Sequence, residues 1–270
     1  MNVTRLLATE EREPCERWVR AQAQTAYLGD QVALCRVLGT FFCEVPTEDR
    51  SLAPYLMLDG FWEMWITQAV ARHVKPGMTC VDVGACFGYY TLLLADLVGP
   101  TGHVLAYEPN PACVTHIQHS LALNGFTERV TVRATAVGSA AQSSAVLRLS
   151  SDRWGDSSLV DTGYSGLRVR VAALDAELSD QKRVGFIKID AEGSEPEIWM
   201  GMQATLARDN PLVFMEFAAR NLKDPEALLG LIGSSGYELA IVDEAGLRRP
   251  TTRDYLLGDG EIRTLWLQRE

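Results

Sequence analysis

A glycine-rich turn and an acidic residue downstream of it are the parts of this sequence best suited to chemistry. The turn, Gly84-Ala85-Cys86-Phe87-Gly88, follows a short apolar stretch and precedes a predicted helix at Tyr89–Leu97. Glycine lets a ligand approach the backbone, and the free N–H groups at a helix start attract its polar groups. Glu108, beside Pro109 at the end of the next predicted strand, is placed to accept hydrogen bonds from two ribose hydroxyls. Together they predict a site for an adenosine-type cofactor.

The residues around the turn discriminate between adenosine cofactors. A dinucleotide site has three glycines in the pattern G-x-G-x-x-G, whereas Cys86 stands here in place of the middle glycine. Asp82 would repel a pyrophosphate but would attract a cofactor that carries an ammonium and a sulfonium group. These residues therefore favour S-adenosylmethionine over NAD. The small residues Ala136 and Val137, after the third predicted strand, leave room for an adenine ring.

Three acidic residues form a second group at the ends of the fourth and fifth predicted strands. Asp190 and Glu192 follow one strand and Glu216 ends the next, where ligands of open α/β sheets bind. We expect Asp190 to lie near the methionine end of the cofactor and to face Glu216, and Lys188 to neutralise one of the carboxylates. One of the three acids is predicted to act as general base. The pair could also bind a divalent metal such as Mg²⁺, but two acids alone make an incomplete site and no metal is expected.

The elements that must position these residues alternate between strand and helix from residue 80 onward. The predicted strands are Cys80–Gly84, His103–Glu108, Val130–Ala134, Val184–Asp190, Leu212–Phe217, Tyr237–Val242 and Arg263–Leu267. The predicted helices are Gly60–His73, Tyr89–Leu97, Pro111–Asn124, Glu195–Ala207 and Pro225–Gly236. This alternation indicates an α/β fold with a parallel sheet covered on both faces. Ala145–Leu149 and Leu167–Val171 are predicted to form an antiparallel insertion. Residues 1–57 are predicted to be an accessory, substrate-side region, and residues 58–270 the cofactor-binding domain.

Composition and charge limit the partners. The 270 residues include 25 basic and 35 acidic ones, so the net charge is −10 and nucleic acid is not expected to bind. No apolar run reaches the ~18 residues of a membrane span, and the first 20 residues lack a signal peptide, so a cytoplasmic location is predicted. The six cysteines contain no C-x-x-C pair, which predicts free thiols and no zinc site. His116 and His119 are expected to be solvated, and none of the four histidines is expected to be catalytic.

Taken together, these motifs resemble the FkbM-type methyltransferases over roughly residues 58–245. The matching stretches are Gly60-Phe61-Trp62-Glu63, Asp82-Val83-Gly84-Ala85, Tyr90-Thr91, Glu108-Pro109, Ile187-Lys188-Ile189-Asp190, Glu192-Gly193 followed by Glu195, and Pro211–Glu216. The resemblance implies a class I, Rossmann-like fold with seven strands, the last one antiparallel, flanked by helices. It also implies S-adenosylmethionine as the methyl donor.

The resemblance further assigns residues to the cofactor site. It implies a cofactor loop at Gly84, Ala85 and Gly88, ribose binding by Glu108, a methionine end at Asp82 and Asp190, and a cap at Glu63. The family commonly has asparagine where this chain has Cys86, so an amide donor to the cofactor carboxylate is lost. We expect that contact to come from a backbone N–H or from Thr91.

The predicted activity is the transfer of a methyl group to a hydroxyl of a sugar, glycan or natural product. An N-methyltransferase acting on an amide or amine is an alternative. An NAD-dependent oxidoreductase should retain three turn glycines, and a non-catalytic nucleotide-binding module would not need Asp190, Glu192 and Glu216. No motif identifies the acceptor or the oligomeric state.

Overall fold

The computed structural model describes residues 7–160, 165–258 and 260–269, without the side chain of Val160. Residues 1–6, at the start of the stretch tested for a signal peptide, lie outside the described residues. None of the helices in the described ranges combines the length and the apolar character that a membrane crossing requires.

The strands of the described ranges fall into three sheets. In chain order they are β1 (Thr25–Gly29), β2 (Val32–Val37), β3 (Phe41–Pro46), β4 (Thr79–Val83), β5 (His103–Tyr107), β6 (Val130–Arg133), β7 (Ala136–Val137), β8 (Ser144–Arg148), β9 (Ser158–Val160), β10 (Leu167–Ala172), β11 (Val184–Ile189), β12 (Leu212–Phe217), β13 (Glu238–Val242), β14 (Arg248–Pro250) and β15 (Arg263–Gln268).

Helices cover the sheets and connect the strands. In chain order they are α1 (Arg12–Gln22), α2 (Ala53–Leu58), α3 (Met64–His73), α4 (Tyr89–Val98), α5 (Pro111–Leu123), α6 (Leu174–Glu177), α7 (Glu195–Met200), α8 (Gln203–Asp209), α9 (Pro225–Ser234) and α10 (Arg253–Gly258).

The central sheet has the order β14-β13-β15-β12-β11-β4-β5-β6. The neighbours from β12 to β6 are parallel, and β15 runs antiparallel to both β12 and β13. Every residue of β4 is buried, as expected for a strand covered on both faces. Without the short edge strand β14, the order of the seven remaining strands is 3-2-1-4-5-7-6. The prediction of seven strands with an antiparallel last strand is thus confirmed, and β14 is an addition to it.

The predicted antiparallel insertion is also present, between β6 and β11. Strand β10 pairs antiparallel with β8, in a register that places Val169 opposite Ala145. The four strands of this sheet have the order β7-β10-β8-β9 and enclose a small apolar core of their own. The segment between β8 and β9 carries Trp154, which becomes important at the candidate site.

The N-terminal region forms an antiparallel sheet, β1-β2-β3, that packs on α5 through β3. Its buried residues, Val19 and Cys35 among them, belong to the same apolar core as Phe87 of the glycine-rich turn. The accessory region is therefore packed tightly against one face of the central sheet. The predicted boundary near residue 57 stays a prediction.

Two predicted helices are wrong in their extent. Helix α3 begins at Met64 rather than Gly60, because Glu63 adopts a left-handed conformation with φ +38°. The predicted helix Glu195–Ala207 is broken into α7 and α8 at Gly201. A side chain there would lie 2.1 Å from the carbonyl oxygen of Gly138, so the backbone bends where two chain segments touch.

Candidate active site

A cavity of about 310 Å³ opens at the carboxyl ends of the parallel strands, where β4 and β11 lie side by side. Chain connections leave in opposite directions from these two strands, and ligands bind at such a crevice in open α/β sheets. The predicted site residues that line the cavity are Glu63, Gly84, Cys86, Glu108, Pro109, Ala136, Val137, Asp190, Glu192 and Glu216. The predicted site residues that are buried and do not line it are Asp82, Ala85, Gly88 and Thr91.

The glycine-rich turn is held tightly against the neighbouring strands. The backbone N–H groups of Gly84 and Ala85 donate to the carbonyl oxygen of Tyr107 at 3.0 and 3.2 Å. Gly84 has φ +78°, and a Cβ on it would lie 1.7 Å from the carbonyl oxygen of Asp190. The turn can therefore approach the end of β11 only if this position has no side chain.

Glu108 is tied to the same turn. Its two carboxylate oxygens accept hydrogen bonds from the backbone N–H groups of Cys86 at 2.9 Å and Asn110 at 2.8 Å. Burial raises the pKa of Glu108 to about 7 despite these two bonds. Each carboxylate oxygen retains a further lone pair, so the group can accept ligand hydroxyls while it stays fixed by the backbone.

Asp82 lies below the turn, fully buried. Its Oδ2 accepts a hydrogen bond from the Thr91 hydroxyl at 2.6 Å, whereas its Oδ1 has no hydrogen-bond partner among the described residues. Burial raises the pKa of this carboxyl group, and the nearby Lys188 opposes the rise. Because the Thr91 hydroxyl donates to Asp82, it is directed away from the cavity. The sequence predicts a backbone N–H or Thr91 as the contact to the carboxylate of the cofactor.

Asp190 and Glu216 face each other at the edge of the cavity and share a hydrogen bond. Lys188 Nζ donates to Asp190 Oδ2 at 3.0 Å. Burial would raise the pKa of Asp190, but the charge of Lys188 and the bond from Glu216 outweigh it and lower that pKa. The charge of Asp190, reinforced by burial, raises the pKa of Glu216 to about 11. From the direction of these pKa shifts we expect the pair to hold one proton at neutral pH, with Asp190, the member next to Lys188, ionised.

Glu192 completes a group of three acids. Carboxylate oxygens of Asp190, Glu192 and Glu216 all lie within 4.8 Å of one another, a spacing that could accommodate a metal ion. Burial, with a contribution from Asp190, raises the pKa of Glu192 to about 7. Glu192 also has a left-handed backbone, with φ +48°, which turns the chain between β11 and α7.

Glu63 lies across the cavity from the turn, at the start of α3. The Tyr90 hydroxyl donates to Glu63 Oε2 at 3.4 Å, and burial followed by the charge of Asp190 raises the pKa of Glu63 to about 7. Six of the residues that line the cavity are acidic and two are basic, Arg153 and Lys188. The cavity is thus suited to a ligand that carries positive charge.

Sequence reasoning missed part of the cavity wall. Ser51 and Leu52 of the N-terminal region line the cavity, and so does Trp62. His116 is buried rather than solvated, because its Nδ1 lies 2.7 Å from Glu44 Oε1. No local signal marks these positions, since each is defined by a contact with a distant segment.

The strand order, with the glycine-rich turn and Glu108 at the carboxyl edge of the sheet, defines a class I, Rossmann-like methyltransferase fold. The chain belongs to the FkbM methyltransferase family, since the family model described as "Methyltransferase FkbM domain" matches residues 82–240. The predicted family, fold and use of S-adenosylmethionine are thereby confirmed at the level of the family.

Individual similar proteins match less of the chain. A protein-L-isoaspartate O-methyltransferase of Hyperthermus butylicus is 35% identical over 66 residues, which are 22% of this chain and 27% of that protein. The crystal structure of methyltransferase FkbM from Methylobacillus flagellatus KT has 19% identity and a TM-score of 0.47, over 71% of this chain and 43% of that one. Aeropyrum pernix fibrillarin with natively bound S-adenosyl-L-methionine has 12% identity and a TM-score of 0.44, over 91% and 97%. The chain thus spans about a quarter of the curated relative's length.

Proposed function

We propose that this protein transfers the methyl group of S-adenosylmethionine to a hydroxyl of a small-molecule or glycan acceptor. The observation that carries the proposal is the position of Asp190 beside the cofactor turn, where it lines the cavity, contacts Lys188 Nζ at 3.0 Å and lies within 4.8 Å of Glu216. An aliphatic hydroxyl is a poor nucleophile at neutral pH and needs a positioned base. The ionised member of the pair is such a base.

The residues present fit the proposed cofactor. Asp82 Oδ1 is a buried carboxylate oxygen with no hydrogen-bond partner among the described residues, and the positive charge of a cofactor bound at the turn above it would stabilise the ionised form without direct contact. The side-chain-free surface of Gly84 admits a ligand against the backbone. Glu108 would accept hydrogen bonds from the ribose, and Glu63 and Asp190 would face the positively charged methionine end. The small residues Ala136 and Val137 would border the adenine.

In the proposed reaction, the protein aligns two reactants and removes one proton. S-adenosylmethionine supplies a methyl group that its sulfonium has already activated. Alignment of the acceptor oxygen with that methyl can contribute roughly 7–11 kcal/mol. Asp190 accepts the hydroxyl proton, while the protonated Glu216 and Lys188 hold its carboxylate in place through hydrogen bonds.

An amine acceptor is the second candidate, and the excess of acidic residues in the cavity favours it. Six acidic residues against two basic ones would attract a protonated amine, which must then lose a proton before it attacks. Incubation with methyl-labelled S-adenosylmethionine and a panel of sugars, natural-product alcohols and amines would separate the two. A product with an O-methyl resonance supports the proposal, and one with only an N-methyl resonance favours the alternative.

The protein is expected to bind S-adenosylhomocysteine but not NAD, and Glu108→Ala should weaken that binding by tenfold or more. The loss corresponds to a charge-assisted hydrogen bond worth about 1.5–3 kcal/mol. Isothermal titration calorimetry with both ligands measures the effect. Glu128→Ala, which removes an exposed carboxylate, is the matched control and should bind like wild type. Tight NAD binding, or unchanged affinity in Glu108→Ala, would contradict the proposed site.

Cofactor binding is expected to strengthen as pH rises from about 6 to 8, and the free protein is expected to lose stability as pH rises from about 4.5 to about 7. Burial raises the pKa of Glu63, Glu108 and Glu192 to about 7, above the ordinary carboxyl value of 4.5. Between these values only the folded chain holds the protons, so stability falls as pH rises through that window. A cationic cofactor favours the ionised carboxylates and should therefore release protons when it binds.

Calorimetry in two buffers of different ionisation enthalpy would count the released protons, and thermal melts would follow the free protein. Glu63→Gln should flatten both pH dependences, because it removes one of the groups that titrate. An affinity for S-adenosylmethionine that does not change between pH 6 and 8 would show that these carboxyl groups are already ionised in the free protein.

A further inference from the structure

Two segments that are far apart in the sequence meet above the cavity. One is residues 49–53, between β3 and α2, and the other is residues 152–157, between β8 and β9; we call them the roof segments. Those of their residues that line the cavity are Ser51, Leu52, Arg153, Trp154, Gly155, Asp156 and Ser157. The N-terminal region therefore supplies part of the wall of the candidate cofactor site.

A single buried carboxylate joins the two roof segments. Asp49 is 2% exposed. Its Oδ1 accepts hydrogen bonds from the backbone N–H of Trp154 at 2.8 Å and from the Ser51 hydroxyl at 2.6 Å. Its Oδ2 accepts from the backbone N–H groups of Leu52 and Ala53, both at 2.8 Å. The carboxylate thus caps the start of α2 with one oxygen and holds the insertion with the other.

Two further hydrogen bonds, both donated by backbone N–H groups, connect the same two segments. The N–H of Gly155 donates to the Ser51 hydroxyl at 3.2 Å, and the N–H of Arg50 donates to the carbonyl oxygen of Asp152 at 2.6 Å. The Arg50–Asp152 side-chain ion pair, at 3.5 Å, is largely exposed and should contribute little. Asp49 is therefore the central connection between the roof segments.

The junction places the Trp154 indole over the cofactor turn. Its ring centroid lies 6.0 Å from that of Phe87 in the turn and 6.2 Å from that of His116 on α5. The segment that carries Trp154 connects β8 to β9. The hydrogen bond from the backbone N–H of Trp154 to Asp49 directs this segment toward the cavity.

We propose that Asp49 is a positioning residue for the cofactor, which holds Trp154 as a roof over the cavity and thereby slows release of the bound ligand. The inference rests on the proposed function, because it takes the cavity as the site of S-adenosylmethionine. It gives the N-terminal region a role in holding the methyl donor.

Stopped-flow dissociation of S-adenosylhomocysteine tests this role. Asp49→Asn replaces an acceptor oxygen by an amide that faces backbone donors. It should therefore raise both the dissociation rate and the dissociation constant by tenfold or more, with a smaller effect on association. Trp154→Ala should have a similar effect. The double variant should be little weaker than either single one, since Asp49 acts through Trp154.

Asp152→Asn is the matched control, since it removes the exposed ion pair at the same junction, and it should stay within twofold of wild type. If Asp49→Asn does not fold, Ser51→Ala removes only one hydroxyl of the junction and should still speed dissociation about threefold. Wild-type dissociation from folded Asp49→Asn, or full additivity in the double variant, would overturn this inference alone. A wild-type protein that does not bind S-adenosylhomocysteine would overturn the proposed function with it.

Discussion

Asp190→Asn is expected to lower the rate of methyl transfer by about 10²–10⁴-fold, the usual contribution of a general base. The substituted amide keeps the shape of the side chain and can still bond to Glu216, but it cannot accept the acceptor's proton. Because the low pKa of Asp190 makes it the ionised member of the pair, no neighbour replaces it at once. The measurement is the initial rate of S-adenosylhomocysteine formation with the acceptor that the panel identifies.

Glu216→Gln is the informative partner variant. Its amide still donates a hydrogen bond to Asp190, as the protonated Glu216 does, so the rate should fall by less than tenfold. Binding of S-adenosylhomocysteine, measured in parallel, shows that both variants are folded. Near-normal turnover in Asp190→Asn combined with an inactive Glu216→Gln would reverse the two roles. A rate that chelation does not change would show that the three acids act without a metal.

Gly84→Ala is expected to destabilise the protein by about 2–5 kcal/mol and to abolish measurable binding of S-adenosylhomocysteine. A side chain at this left-handed position costs roughly 1–2 kcal/mol. The new Cβ would also lie 1.7 Å from the carbonyl oxygen of Asp190 and must displace it, at a further cost of about 1–3 kcal/mol for overpacking. Urea denaturation gives the loss of stability, and calorimetry gives the loss of binding.

Gly125→Ala separates these two contributions. Gly125 also has a positive φ, +70°, but a Cβ there meets no atom within 4 Å. This control should lose only the roughly 1–2 kcal/mol of the conformational cost and should bind normally. If the two variants were equally stable, the contact between Gly84 and the end of β11 would not be as close as the structure shows.

The parts of the molecule that could be predicted from the sequence are those in which a local residue pattern indicates both a strand and the site residues at its end. Apolar runs such as β4 and β11 identify strands covered on both faces, and parallel strands bring Gly84, Glu108 and Asp190 to one edge. The same rule predicts that Asp190 and Glu216 face each other. It does not predict which of the two carboxyl groups holds the proton, because that depends on the orientation of the Lys188 side chain.

The remaining features depend on contacts between distant segments. The Asp49 carboxylate accepts a hydrogen bond from the backbone N–H of Trp154, which lies 105 positions further along the chain. In its local sequence, Asp49 indicates only a residue that caps the start of α2. His116 is buried because Glu44, on a strand of the N-terminal sheet, lies against α5. The break between α7 and α8 falls at Gly201, where the absence of a side chain allows the close approach of Gly138. No periodicity within one segment carries this information.

The strand order has a consequence for how the protein is made. Strand β15 lies between β12 and β13 in the sheet, although it follows both in the chain. While the ribosome is still synthesising the residues before Arg263, β12 has no partner on the edge opposite β11, and β13 has none on the edge that β15 will occupy. Since pairings between distant segments form late, we expect the nascent chain to expose these two edges until residues 263–268 emerge.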